Sequence, residues 1–199
     1  MIRVARTWLS LTVELVEGGG YRYWPRPGRV FALARSHTFA ELATAIDVAF
    51  GRWDLAHAWR FELPRGFSVV PATAQGLGAE ATSLPESSRL SRLALGDAFV
   101  YELGDRSPWV HVCRVGATRI DPLEELGDSP PEPTAYDGWG VLPDQYLRRF
   151  EGDDGTTPLP PDPRNRDLPP LRPGWGRPAG RPTAARAESE SASPPASAG

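Results

Sequence analysis

This chain has no lysine: its 22 basic side chains are all arginine. A phosphate-gripping loop of the Gly-x-x-x-x-Gly-Lys type is excluded, because its lysine is what reaches the outer phosphates. The arginines are scattered, and Ala, Gly and Pro are abundant, so the bias reads as that of a GC-rich genome. Cysteine is nearly absent too. With Cys113 alone no internal disulfide can form, which fits a reducing compartment. His111 and Cys113 share a strand face but fall short of the three or four ligands of a zinc site, and paired Cys motifs are missing. No metal or other cofactor is expected. Long apolar runs are missing as well, none approaching the ~20 residues that span a bilayer. Arg3 and Arg6 precede an apolar run, yet Thr12 and Glu14 interrupt it and no small-residue cleavage site follows before Gly18. The expectation is a cytoplasmic protein with no membrane partner. There is no Gly-x-Ser-x-Gly elbow, and Gly18-Gly19-Gly20 opens no helix as a dinucleotide fingerprint would.

What is present is 199 residues, enough for one domain with a core of its own. The net charge of −3 hides an uneven distribution: residues 1–120 sum to +3, residues 121–155 to −8, and residues 156–199 to +2. The acidic block would repel phosphates, so charge does not support a nucleic-acid partner there. Its paired carboxylates, Glu124-Glu125 and Asp153-Asp154, read as solvated. Of 22 prolines, 11 lie beyond residue 150, and the last stretch is rich in Ser, Ala, Pro and Glu. Such a composition buries too little apolar surface to offset about 1–2 kcal/mol of ordering entropy per residue. The domain is therefore placed at residues 1–156, and a disordered Pro/Arg/Ser-rich tail at residues 157–199. Arg164, Arg166, Arg172, Arg177, Arg181 and Arg186 surround Trp175 there, in what reads as a solvated low-complexity segment.

Periodicity gives the elements. Leu9, Leu11, Val13 and Leu15 alternate with polar neighbours, the mark of a half-buried strand, and Val30 to Arg35 reads as a second. Thr38 and Glu41 form a capping box ahead of Phe39, Leu42, Ala43, Ile46, Ala49 and Phe50, which share one helical face. Gly51 ends that helix. Trp59, Phe61 and Leu63 predict a strand that turns at Pro64-Arg65-Gly66 into Phe67–Val70. Residues 71–88 read as a surface loop and Arg89–Leu93 as a short helical turn. A final hairpin runs up through Phe99, Tyr101 and Leu103, turns over Gly104–Pro108, and returns as Trp109–Val115. The fold expected is α+β: an antiparallel sheet built from hairpins, with one main amphipathic helix packed on it.

Two motifs carry what chemistry there is. Trp53, Asp54 and His57 lie just beyond the helix, and Asp54 stands where its carboxylate can reach the His57 imidazole, setting its tautomer and raising its basicity. An ordinary turn, capped by Asp54, accounts for the same residues. Asp105, Trp109 and His111 lie on the hairpin; alternation puts Trp109, His111, Cys113 and Val115 on one face, with Asp105 a candidate partner for His111. Cys113, in mid-strand, reads as an inert core thiol. Trp139 and Tyr146, beyond Pro130-Pro131-Glu132-Pro133, read as anchors of a returning segment.

The chain resembles the plasmid pRiA-type ORF-three-like family across residues 7–150. The matching parts are an opening strand, the Ala49–Phe61 run with its Trp-Asp-x-x-His core, and the Phe99–His111 aromatic strand and Gly-Asp hairpin. A Pro-Pro-Glu return near residues 130–132 and the Trp139–Tyr146 stretch follow. Two departures stand out. Arg106, Ser107 and Pro108 separate Asp105 from Trp109 where the family has a single residue, and Asp128-Ser129 stands where the family has a Cys before Pro-Pro. The resemblance implies an α+β domain associated with mobile elements and of uncharacterised activity.

The residues lean away from an enzyme, and no catalytic residue is assigned. The first expectation is a non-enzymatic binding module whose groove lies between helix 39–50 and the two hairpins. It would take a peptide, protein or small ligand through Trp53, Asp54, His57, Asp105, Trp109 and His111. The alternatives are a metal-assisted hydrolase, which requires His57, Asp54, His111 and Asp105 to converge, and a nucleic-acid accessory protein acting through arginines.

Overall fold

Alternating Leu9, Leu11, Val13 and Leu15 do form a long strand, β1 (Trp8–Gly18), with those four side chains buried. The computed structural model describes residues 7–72 and 82–147, so the tail expected at residues 157–199 lies outside the described residues. After the short β2 (Tyr21–Arg22) come β3 (Gly28–Leu33) and the helix α1 (Phe39–Ala49). Next are β4 (Trp59–Glu62), β5 (Ser68–Val70) and β6 (Ser83–Pro85), then β7 (Ala98–Leu103), β8 (Trp109–Ile120), the short helix α2 (Pro122–Leu126) and β9 (Thr134–Trp139).

Eight strands run across one sheet in the order β6-β5-β4-β7-β8-β1-β3-β9, with β2 paired to β1 beyond them. Every pair is antiparallel except β5 with β6, so the sheet is mixed. That parallel pair also corrects the loop expected at residues 71–88: Ser83–Pro85 is an edge strand, although its Pro85 and short length gave it no strand signature. The 3-10 turn at Leu90–Arg92 falls where a short helical turn is expected. β3 begins two residues earlier than its apolar run, because Gly28 and Arg29 pair with Trp139 and Gly138 of β9. Gly28 is needed for space: a Cβ there would lie 2.2 Å from the Trp139 ring.

The capping box forms as expected: Glu41 donates its amide to the Thr38 hydroxyl while its carboxylate accepts from the Thr38 backbone. Gly51, at φ +69°, turns the chain away from the helix end. One sheet face presents Leu11, Val13, Phe31, Phe61, Phe99, Tyr101 and Cys113 to Phe39, Leu42, Ala43, Ile46 and Phe50. Asp47 is buried in that same layer, although it is a carboxylate. Thr38→Ala should lower stability by about 1 kcal/mol by orphaning helix amides, read as a lower urea midpoint with an unchanged slope.

Candidate functional site

The two motifs meet at the C-terminal end of α1, through a residue that neither sequence argument used. Arg52 follows Gly51, and its amide donates to the Asp47 carbonyl, which tucks its side chain inward. Only 3% exposed, it lays its guanidinium on the Trp109 ring, with Cζ 3.6 Å from the centroid. Trp109 is itself 6% exposed, close against Gly18, where a Cβ would come within 2.0 Å of the ring. Tyr23 lies beyond, nearly parallel to Trp109 at 6.3 Å, and its hydroxyl donates to the Gly18 carbonyl. Trp109 is thus part of the core, not a ligand-facing groove wall.

Residues 142–147 cross this end as a strap. The Pro143 carbonyl accepts from Arg52 Nη1 at 3.2 Å. The buried Gln145 makes three hydrogen bonds to the motif: its Oε1 accepts from the amides of Trp53 and Asp54, and its Nε2 donates to the Asp54 carbonyl. Tyr146 leans on the Trp53 ring at 5.2 Å and donates its hydroxyl to Asp54 Oδ2. Because that proton is spent on Asp54, the 3.2 Å contact with His57 Nε2 requires the imidazole to donate from Nε2. Asp54 also accepts the Ala56 amide, as a turn-capping Asp does, and lies 3.5 Å from His57 Nε2. The Tyr146 hydroxyl, more than His57, holds its carboxyl below the usual range, and in return Tyr146 is pushed up to about 12. Asp54 therefore caps the turn and stands beside His57 at once. Gln145→Ala should cost about 1–3 kcal/mol by stranding the amides of Trp53 and Asp54, with faster amide exchange at those two residues as the check.

His111 is elsewhere. It is fully buried between Phe50, at 4.7 Å, and Tyr101, at 5.6 Å. Burial first, and the positive charge of Arg52 second, hold its imidazole down at about 3, so it is neutral. Backbone hydrogen bonds with Tyr101 and Trp109 work the other way, and no side chain among the described residues pairs with the ring. Asp105 does not reach it: it is exposed in the hairpin turn, away from the buried strand face that holds His111. The expected Asp105–His111 pair does not form. The four-residue set of His57, Asp54, His111 and Asp105 does not converge either, since His57 is exposed beside the strap and His111 is sealed beneath the helix. No group of three or more His, Cys, Asp or Glu among the described residues could hold a metal ion. Burial also pushes the Cys113 thiol well up, in keeping with an inert core residue.

Several buried polar residues escaped the sequence argument. Tyr101 donates its hydroxyl to Asp47 Oδ1 at 2.9 Å, and burial raises that carboxyl to about 7 against the pull of Tyr101 and Arg52. Arg29, wholly buried, donates to the carbonyls of Gly28, Trp139 and, at the helix end, Ala49. A cation there suits the negative end of the helix. One signal was available for Asp47: it lies four residues after Ala43 and three before Phe50, on the apolar stripe. Arg52, one residue past the helix-ending glycine, carries no such signal.

No family model and no curated protein matches this chain. Among solved structures it is similar to MM3350, described as a protein of unknown function, from Methanosarcina mazei Go1. The two are 18% identical over 69% of this chain and 74% of that one, with a TM-score of 0.50. At that identity the likeness concerns the fold alone.

Proposed function

We propose that the chain is a non-enzymatic binding module that takes a ligand at the end of the sheet where Arg52, Trp109 and the strap meet. The reading rests on one observation. Exposed large apolar side chains stand on the segments that build this junction: Trp24, which is 86% exposed, Val48, Leu55 and Val141. Val48 belongs to the last turn of α1, and Leu55 to the turn that Gln145 and Tyr146 hold. Trp24 lies two residues before Arg26, whose carbonyl accepts the Trp139 indole N–H, and Val141 lies two residues after Trp139. An apolar rim around a rigid junction is how binding surfaces anchor a partner. Trp53, Asp54 and His57 belong to this rim in the proposal, Trp109 and His111 support it from inside, and Asp105 is left out. Membership of the pRiA-type ORF-three-like family is part of the same proposal, supported by the order of the motifs along the chain.

The test is selection of displayed random peptides on the folded chain. Peptides enriched on it should lose about tenfold or more in affinity for a Trp24→Ala/Val141→Ser variant with an unchanged melting curve. Enrichment of no peptide, or equal affinity for the variant, would overturn the reading.

A further inference from the structure

Arg52 presents an unused edge. One terminal nitrogen, Nη1, is pinned by the Pro143 carbonyl, while Nε and Nη2 have no hydrogen-bond partner among the described residues. Those two nitrogens form the side-on fork of the guanidinium, the pair whose parallel N–H bonds match the two oxygens of a carboxylate. The fork cannot swing away, because Trp109 lies under its face and Pro143 holds its far side. Two buried donors of one guanidinium thus meet no acceptor among the described residues. Buried polar groups are nearly always paired, so this concentration marks a place for something else.

We propose that the Nε–Nη2 edge of Arg52 is a carboxylate-binding site. The claim deepens the binding reading above: the ligand would carry its carboxylate to Arg52 and lay its apolar part along the rim of Leu55, Val141 and Trp24. Charge balance favours an anion here. No carboxylate of the described residues is in ion-pair contact with Arg52, and its nearest acidic neighbours are Asp47, engaged by Tyr101, and Asp144, engaged by the Tyr146 amide. A desolvated cation without a close counter-ion gains more from a bound anion than an exposed one does.

The test uses the whole chain and acetate as the probe, with chloride at equal ionic strength as the control. The side-chain Nε–H signal of Arg52, assigned through its own backbone, should move with acetate along a saturating curve. The melting temperature should climb with acetate and not with chloride, as selective binding to the native state demands. Arg52→Lys, which keeps the charge but loses the fork, should abolish the saturating response. The wild-type signal decides the matter should that variant fail to fold. A linear drift equal in acetate and chloride, or an Arg52 signal that exchanges only with water, would overturn the proposal. Peptide binding that depends on Trp24, with no acetate response, would sink this inference alone and leave the broader reading standing.

Discussion

Trp109→Ala is expected to lower stability by about 3–5 kcal/mol, at the upper end of what removing a buried aromatic costs. The ring fills the space left by Gly18, and it is the surface on which the buried Arg52 rests. Removing it opens a cavity and leaves a cation without the ring beneath it, so the two costs add. Gly18→Ala attacks the same joint from the other side. Its new Cβ would lie 2.0 Å from the ring, and the indole would have to move. Overpacking of that kind costs about 1–3 kcal/mol. Urea unfolding followed by circular dichroism measures both. A Trp109→Ala protein within about 1 kcal/mol of wild type would mean that the ring is not core after all.

A second large effect concerns pH. Burial raises Asp47 from 3.8 to about 7 and lowers His111 from 6.5 to about 3. Between the two ordinary values the unfolded chain has Asp47 ionised and His111 protonated, whereas the folded chain has the opposite. Folding therefore takes up a proton at Asp47 and releases one at His111. Their slopes oppose: the Asp47 contribution is lost as pH rises through about 7, and the His111 contribution is lost as pH falls towards about 3. In the window from 3.8 to 6.5 they largely cancel. Single substitutions should unmask each slope. Asp47→Asn should lose stability relative to wild type on acidification through that window, by up to about 4 kcal/mol. His111→Phe should lose it as pH rises towards 7, by up to about 4 kcal/mol. Urea midpoints at several pH values test this, and variants that track wild type in parallel would show that the two groups do not exchange their charge on folding.

The sheet and the helix were readable because their signals are local. Period-two alternation in Leu9–Leu15 and Phe99–Leu103, and the Thr38/Glu41 capping box, depend only on neighbours in sequence. β9 was missed because Thr134–Trp139, with an Asp and a Gly in an edge position, buries none of its residues fully. β6 was missed because it pairs in parallel with a strand more than ten residues away. The site divides along the same line. The closeness of Asp54 to His57 follows from their spacing in a turn, and it forms. The Asp105–His111 pair was argued from proximity along the hairpin. It fails because a strand face decides burial, and His111 faces the helix while Asp105 sits in an exposed turn. Arg52 and Gln145, which join the two motifs, meet partners about ninety residues apart in sequence, and no local pattern encodes such a contact.

The account stands on Arg52 and Trp109 forming one joint between the motifs. A double-mutant cycle with Arg52→Met and Trp109→Leu measures it directly, with unfolding free energies of both singles and the double. The expected coupling is about 1–2 kcal/mol, the size of a desolvated cation on an indole face. Single costs that add to within about 0.5 kcal/mol would mean that the two residues do not touch, and the shared site would be contradicted.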